Sequence, residues 1–140
     1  MPRPSVVLDT NVVVSAHLSP NGLERFIFDL AINGTLELFY SASILDEFEG
    51  VLGRAKFRIS PVKLAESVAL IREAGQQVFP KRRVEAAADP GDNIFLECAE
   101  EARAQYLVTG NKKHFPVVWK LTSIVNAREL IDEIIPDLKR

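Results

Sequence analysis

Apolar positions in this chain follow two alternating rhythms, one continuous and one helical. Ser5-Val6-Val7-Leu8-Asp9-Thr10-Asn11-Val12-Val13-Val14 is a nearly unbroken β-branched run, as expected of a strand buried on both faces. Asp9, Thr10 and Asn11 interrupt it, which predicts a strand ending at Asp9 and a short helix from Asn11 to Leu18, stopped by Ser19-Pro20-Asn21-Gly22. Leu23, Phe26, Ile27, Leu30 and Ala31 keep helical spacing over residues 23–32, and Asn33-Gly34 ends that helix. Leu36 to Tyr40 reads as a strand. Ser41-Ala42-Ser43 opens the next helix, which runs through Leu52, with Ser43 and Asp46 at capping-box spacing. Ser60-Pro61 supplies a cap and a first-turn proline for a helix from Val62 to Ala74. Gln77-Val78-Phe79 reads as a short edge strand, followed by a connecting loop through Ala88. Asp89-Pro90-Gly91-Asp92-Asn93 is a dense start signal for a helix from Ile94 to Ala104. Tyr106 to Thr109 is a strand, Lys112 to Phe115 a turn, and Leu121 to Val125 a last, parallel strand. Asn126 caps a final helix to Ile134, before Pro136.

Strands alternating with helices predict an α/β fold: a three-layer α/β/α sandwich around a mainly parallel sheet of four or five strands, with right-handed crossovers. The 140 residues show no repeat, low-complexity tract or linker, so a single domain over residues 1–140 is expected. The chain is 47% hydrophobic and 26% charged, near the average for soluble domains, and no run of apolar residues is long enough to span a membrane. Asp9 breaks the N-terminal apolar run and no small-residue cleavage site follows, so no signal peptide is expected. A lone cysteine, Cys98, excludes an internal disulfide and suits a cytoplasmic location. It falls on an apolar helix face and reads as packing. The net charge of −2 argues against gripping nucleic acid by bulk positive charge. An enzyme that meets nucleic acid through a local patch and a metal ion remains open.

The acids change the picture. A carboxylate inside a buried run is costly unless it is paired or binds a cation, and ligands in parallel α/β sheets sit beyond the carboxyl ends of strands. Asp9 is therefore a candidate for a crevice, although Asp9 or Asn11 would also serve to cap the helix that follows. In the helix ending at Leu52, Ile44, Phe48, Val51 and Leu52 form the buried face. Glu47 lies at its margin, roughly a quarter-turn from the centre at about 100° per residue. It is either a crevice ligand or an ordinary surface glutamate. Asp92 sits in the first turn of its helix, where the dipole favours a carboxylate in any case. Thr109-Gly110-Asn111 delivers polar groups to the same edge, with a helix-capping Asn as the simpler account. Glu97, Glu100 and Glu101 read as a solvated face. Three converging carboxylates repel one another unless a cation is present, and oxygen donors suit Mg²⁺ or Mn²⁺. There is no Gly-rich phosphate loop, no Cys/His zinc cluster and no defensible Ser/His/Asp order. Asn11 stands where an Asp-x-Asp phosphatase needs its second aspartate. Tyr40, ending the second strand, does not supply the acid of a phosphoacceptor domain.

Taken together, Val7-Leu8-Asp9-Thr10-Asn11-Val12, Ser43-Ile44-Leu45-Asp46-Glu47-Phe48, Asp89-Pro90-Gly91-Asp92-Asn93 with Leu96-Glu97-Cys98-Ala99, and Ala104 to Asn111 followed by His114-Phe115 resemble the PIN domain family. The likeness is to the small proteins grouped with the toxins of VapBC-type toxin–antitoxin pairs. The resemblance implies a metal-dependent ribonuclease using Mg²⁺ or Mn²⁺. Asp9, Glu47 and Asp92 match the acidic metal-site positions, with Thr10 or Asn11 as polar neighbours. The family often has an aspartate in a fourth acidic slot; here it is Asn111, whose amide oxygen can bind a metal or orient a water but carries no charge. Asp89 can compensate, or merely cap. One ion held by Asp9 and Asp92, with Glu47 serving a second ion or the attacking water, would hydrolyse RNA phosphodiesters in line. Lys112, Lys113 and His114 follow Asn111 and either contact phosphates or lie exposed on a loop. Lys81-Arg82-Arg83 reads as a solvated turn and Trp119 as core or a dimer contact. The resemblance also implies an antitoxin partner and a homodimer. Asn111 favours the alternative, a catalytically degenerate PIN fold that binds RNA or protein.

Overall fold

The computed structural model describes residues 3–138. β1 (Ser5–Leu8) is followed by α1 (Thr10–Leu18), α2 (Leu23–Ile32), β2 (Glu37–Tyr40), α3 (Ala42–Leu52) and α4 (Pro61–Ala74). After these come β3 (Gln76–Gln77), α5 (Asn93–Ala102), β4 (Tyr106–Val108), β5 (Val118–Trp119), β6 (Thr122–Val125) and α6 (Ala127–Leu138). The strands form one sheet in the order β3-β2-β1-β4-β6-β5, parallel except for β5. β1 is buried along its whole length, so helices cover both faces, as its unbroken apolar run requires. α5 packs on β1, β2 and β4, while α6 packs on β4 and β6 and touches α2. Right-handed crossovers put α1 and α2, which carry the chain from β1 to β2, on the face opposite α5. Phe28 of α2, Phe95 and Leu96 of α5 and Leu130 of α6 are fully enclosed. Truncating such a ring to alanine typically costs ~3–5 kcal/mol.

The sheet has six strands rather than four or five. The extra one comes from a hairpin: Val118 pairs with Ser123 and Trp119 with Thr122 across Lys120-Leu121, with Lys120 at φ 55°. A two-residue turn of this left-handed kind suits the twist of paired strands. Two paired residues carry no alternation that a sequence pattern can register, and Trp119 instead donates Nε1–H to Glu100 at 3.2 Å. Ser41, not Ser43, caps α3, accepting from the Ile44 N–H at 3.3 Å, because β2 leads into the helix without a linker. Ser60 caps α4 as expected. The last helix runs past Pro136 to Leu138. Asn126 and Glu129 start it by exchanging side-chain-to-backbone bonds of 2.8 and 2.9 Å, and a proline near its end forfeits a single bond. Among the described residues no helix is long and apolar enough to cross a membrane.

Register fixes where polar residues emerge. Leu8 pairs with Val108, and Val108 with Val125, so the carboxyl ends of β1, β4 and β6 are level. From β1 the chain crosses to β2 on one side, while β4 lies on the other. That reversal opens a crevice between the ends of β1 and β4.

Candidate active site

Asp9 follows β1 into this crevice and is only 4% exposed. Its N–H donates to the Val108 carbonyl at 2.9 Å, extending the β1–β4 ladder by one bond and fixing the backbone beneath the carboxylate. Asp9 occupies the N-cap position of α1, yet its side chain makes no capping bond. Oδ2 instead accepts the Thr109 hydroxyl at 2.7 Å. Thr109 lies just past β4, fully buried, and its Oγ1 accepts the Asn111 N–H at 3.0 Å. Burial pushes the Asp9 carboxyl up to about 6, and the nearby Asp92 and Glu47 charges push the same way, against the Thr109 hydroxyl and the Thr10 amide.

Glu47, half-buried on α3, accepts the Thr10 hydroxyl through Oε2. α3 therefore aims this carboxylate at the start of α1, while its neighbours Asp46 and Glu49 are exposed. Asp92 ends the 3-10 turn Pro90–Asp92 and heads α5 without capping it. Its carboxyl is raised by partial burial, then by Asp89 and Glu47, with His114 opposing; His114 Nδ1 is 3.6 Å from Asp92 Oδ2. Asp9, Glu47 and Asp92 thus feel one another, and among the described residues no lysine or arginine pairs with any of them. The donor set is oxygen alone and carries excess negative charge, which fits a hard divalent cation. Among the described residues, however, no three acidic, His or Cys side chains are drawn together closely enough to hold an ion as they stand.

The remaining candidates divide. Asp89 accepts the Gly91 N–H at 3.0 Å and so starts the turn that carries Asp92. Asn111 precedes the turn Lys112–His114 but makes no capping bond through its side chain. Asn11 is exposed and borders a separate recess of about 140 Å³ with Gly110 and Asn126. Lys112 is held 2.8 Å from Glu129 of α6, whereas Lys113 is exposed. Only His114 of that trio reaches an acid of the crevice.

Two features escaped the sequence pattern. The Thr109 hydroxyl that orients Asp9 comes from 100 residues away. The outer acids of α5 are not merely solvated: Glu97 accepts the Val84 N–H at 3.0 Å, Glu101 the Lys81 N–H at 3.3 Å, and Glu100 binds Arg82 at 2.6 and 2.9 Å. Nothing in their spacing shows this, because their partners lie on a loop without periodicity. Cys98 is fully buried and its thiol is pushed up to about 12, so it packs as expected.

The sequence profile of the PIN domain matches residues 5–113, which include every one of these acids. The chain belongs to the PIN domain family. PIN domains are generally nucleases and typically use divalent metal ions. An uncharacterised protein of Methanocaldococcus jannaschii is 30% identical over 116 residues, covering 76% of this chain and 70% of that protein. In three dimensions this PIN domain is similar to a chain in the crystal structure of VapBC2 from Rickettsia felis bound to a DNA fragment from their promoter. The TM-score is 0.57 at 15% identity, over 87% of this chain and 98% of that one. At that identity the likeness concerns the fold: a mixed, mostly parallel sheet flanked by helices.

Proposed function

We propose that this PIN domain is a metal-dependent ribonuclease that hydrolyses RNA phosphodiesters, and the toxin of a toxin–antitoxin pair. The strongest support is Asp9: a carboxylate buried where the strand order reverses, made harder to ionise by burial and two further acids, with no ion-pair partner among the described residues. Asp9 and Asp92 would hold Mg²⁺ or Mn²⁺, and Glu47 a second ion or the attacking water. Bound there, the ion would stabilise phosphoryl charge and lower the pKa of a water.

The chain's own groups do the positioning. The Thr109 O–H fixes Asp9 Oδ2 and the Thr10 O–H fixes Glu47 Oε2. Both hydroxyls are thus committed as donors to carboxylates and are poorly placed as nucleophiles. In this reading the attacking group would be a metal-activated water, in line with the leaving oxygen. Asn111, whose side chain makes no capping bond, would supply an amide oxygen to the site, and Lys113 and His114, which follow it, would contact phosphates. Cytoplasmic location, a homodimer and an antitoxin that covers the crevice belong to the same proposal. The likeness to a chain of VapBC2 supports the antitoxin.

Asn111 favours a second reading, a PIN fold that binds RNA or protein without cutting. Assay of the protein and of Asp9→Asn on structured and single-stranded RNA, with Mg²⁺, Mn²⁺ or chelator, separates the two. Cleavage that needs metal and is lost in the variant is expected. A folded protein that binds RNA and cuts none of it would overturn the nuclease in favour of the binding module.

A further inference from the structure

We propose that the cleft beside the acids is a track for the phosphate backbone of single-stranded RNA, with Lys81 and Arg83 as its phosphate-contacting side chains. The cleft has a volume of about 600 Å³ and lies between the β2–α3 turn, residues 80–85 and the start of α5. Asp9, Glu47 and Asp92 are not among its lining residues, but α3, which carries Glu47, and the start of α5, which follows Asp92, contribute to its wall. Ser43 in its wall is one helical turn ahead of Glu47 on the same face of α3, and Pro90 and Asn93 flank Asp92 in sequence. Its role in feeding a strand to the acids rests on the nuclease reading; its affinity for phosphate does not.

The loop that carries the cations is held in place. Glu101 accepts the Lys81 N–H, Glu97 the Val84 N–H, and Asn93 Oδ1 accepts both the Ala86 and Ala87 N–H groups at 3.1 and 2.9 Å. Arg82 is committed to Glu100. Lys81 and Arg83 on either side of it are exposed, and among the described residues neither side chain forms an ion pair. Two acids line the cleft as well: Glu97, which accepts the Val84 N–H through one oxygen, and Glu85, which is exposed. Lys81 and Arg83 are cations without ion-pair partners on a fixed loop; with Glu85 and Glu97 in the same lining the cleft is close to neutral as a whole, so the phosphate contacts are made by these two side chains and not by a positive field. Contacts of this kind position a backbone without reading sequence. A cleft of about 600 Å³ has room for a short stretch of single strand along the loop.

The test is fluorescence anisotropy of a labelled single-stranded RNA dodecamer with the full chain in chelator, across a salt series, for the parent and for Lys81→Ser/Arg83→Ser. Loss of two phosphate contacts predicts about 10-fold weaker binding at low salt. It also predicts a log K against log salt slope shallower by about 1.4. Removing the same charge on α4, with Lys63→Ser/Arg72→Ser, is expected to change affinity less than about 2-fold at physiological ionic strength, since neither residue lines the cleft and exposed charges away from a contact are largely screened there. Equal binding by parent and double variant, an equal loss in the α4 pair, or no binding by the parent overturns the track. So does preference for poly-glutamate, which would make the cleft a site for acidic polypeptide. Cleavage by the parent that the double variant matches sinks the track and leaves the nuclease standing. The predicted binding pattern in a protein that cuts nothing sinks the nuclease and leaves the track.

Discussion

Two sets of three acids sit on this fold and are treated in opposite ways. On the outer face of α5, Glu97, Glu100 and Glu101 each accept a hydrogen bond from the loop of residues 81–84, and the Arg82 contact holds the Glu100 carboxyl below its usual range. In the crevice, Asp9 and Glu47 each meet a hydroxyl, Asp92 has only His114 Nδ1 at 3.6 Å, and the Asp9 and Asp92 carboxyls are raised. The first set fastens a loop. The second is left with unneutralised charge at the carboxyl ends of two central strands, where a ligand binds in this class of sheet. Residue type does not separate the two sets; topology and partners do.

The largest effect should come from removing the charge that most resists burial. The folded-state pKa of Asp9, about 6, lies above the ordinary 3.8. The folded protein therefore holds this proton more tightly than the unfolded chain does. That contribution to stability is present below pH 3.8 and is lost as pH rises through 6. Asp9→Asn removes the penalty while keeping an acceptor for Thr109. In chelator it should stabilise the protein by ~1–3 kcal/mol at pH 7.5 and change it little at pH 4, as read from denaturant melts. Lower stability of the variant at pH 7.5 would mean that the crevice is not strained by charge.

Next, Glu97→Ala tests the other set. It strands the N–H of Val84, whose residue is buried, and should cost ~1–2 kcal/mol, with Glu97→Gln restoring most of it through the amide oxygen. If both variants melt like the parent, the loop is not held by these bonds. Thr109→Val keeps shape but removes the donor to Asp9 Oδ2. Metal affinity should fall roughly 10-fold, with half-binding moved to higher pH, since the hydroxyl lowers the Asp9 pKa. Smallest is Asn111→Asp, which adds a fourth acid. A few-fold gain in Mn²⁺ affinity, with lower stability in chelator, is expected from added like charge at the crevice mouth.

Much of this was legible in the sequence, for physical reasons that differ by residue. The span of α2 followed from the helical spacing of Leu23, Phe26, Ile27, Leu30 and Ala31, although Phe26 stays exposed and is not part of the buried face, and Asp9 announced itself by breaking an apolar run. Glu47 could be placed at the margin of the buried face of α3 because a helical wheel is local. The Thr109–Asp9 bond and the anchoring of residues 81–84 to α5 are contacts between distant segments, which no periodicity encodes. β5 was invisible for the opposite reason: two residues are too short to carry a pattern.

The measurement that tests the central claim most directly is calorimetric titration of Mn²⁺ into the chelator-stripped protein and into Asp9→Asn, at pH 7.5 and pH 5. Unneutralised crevice carboxylates predict a saturable site at pH 7.5, weaker at pH 5 where Asp9 is largely protonated, and abolished in the variant. Binding that Asp9→Asn leaves untouched, or no binding at either pH, would contradict it.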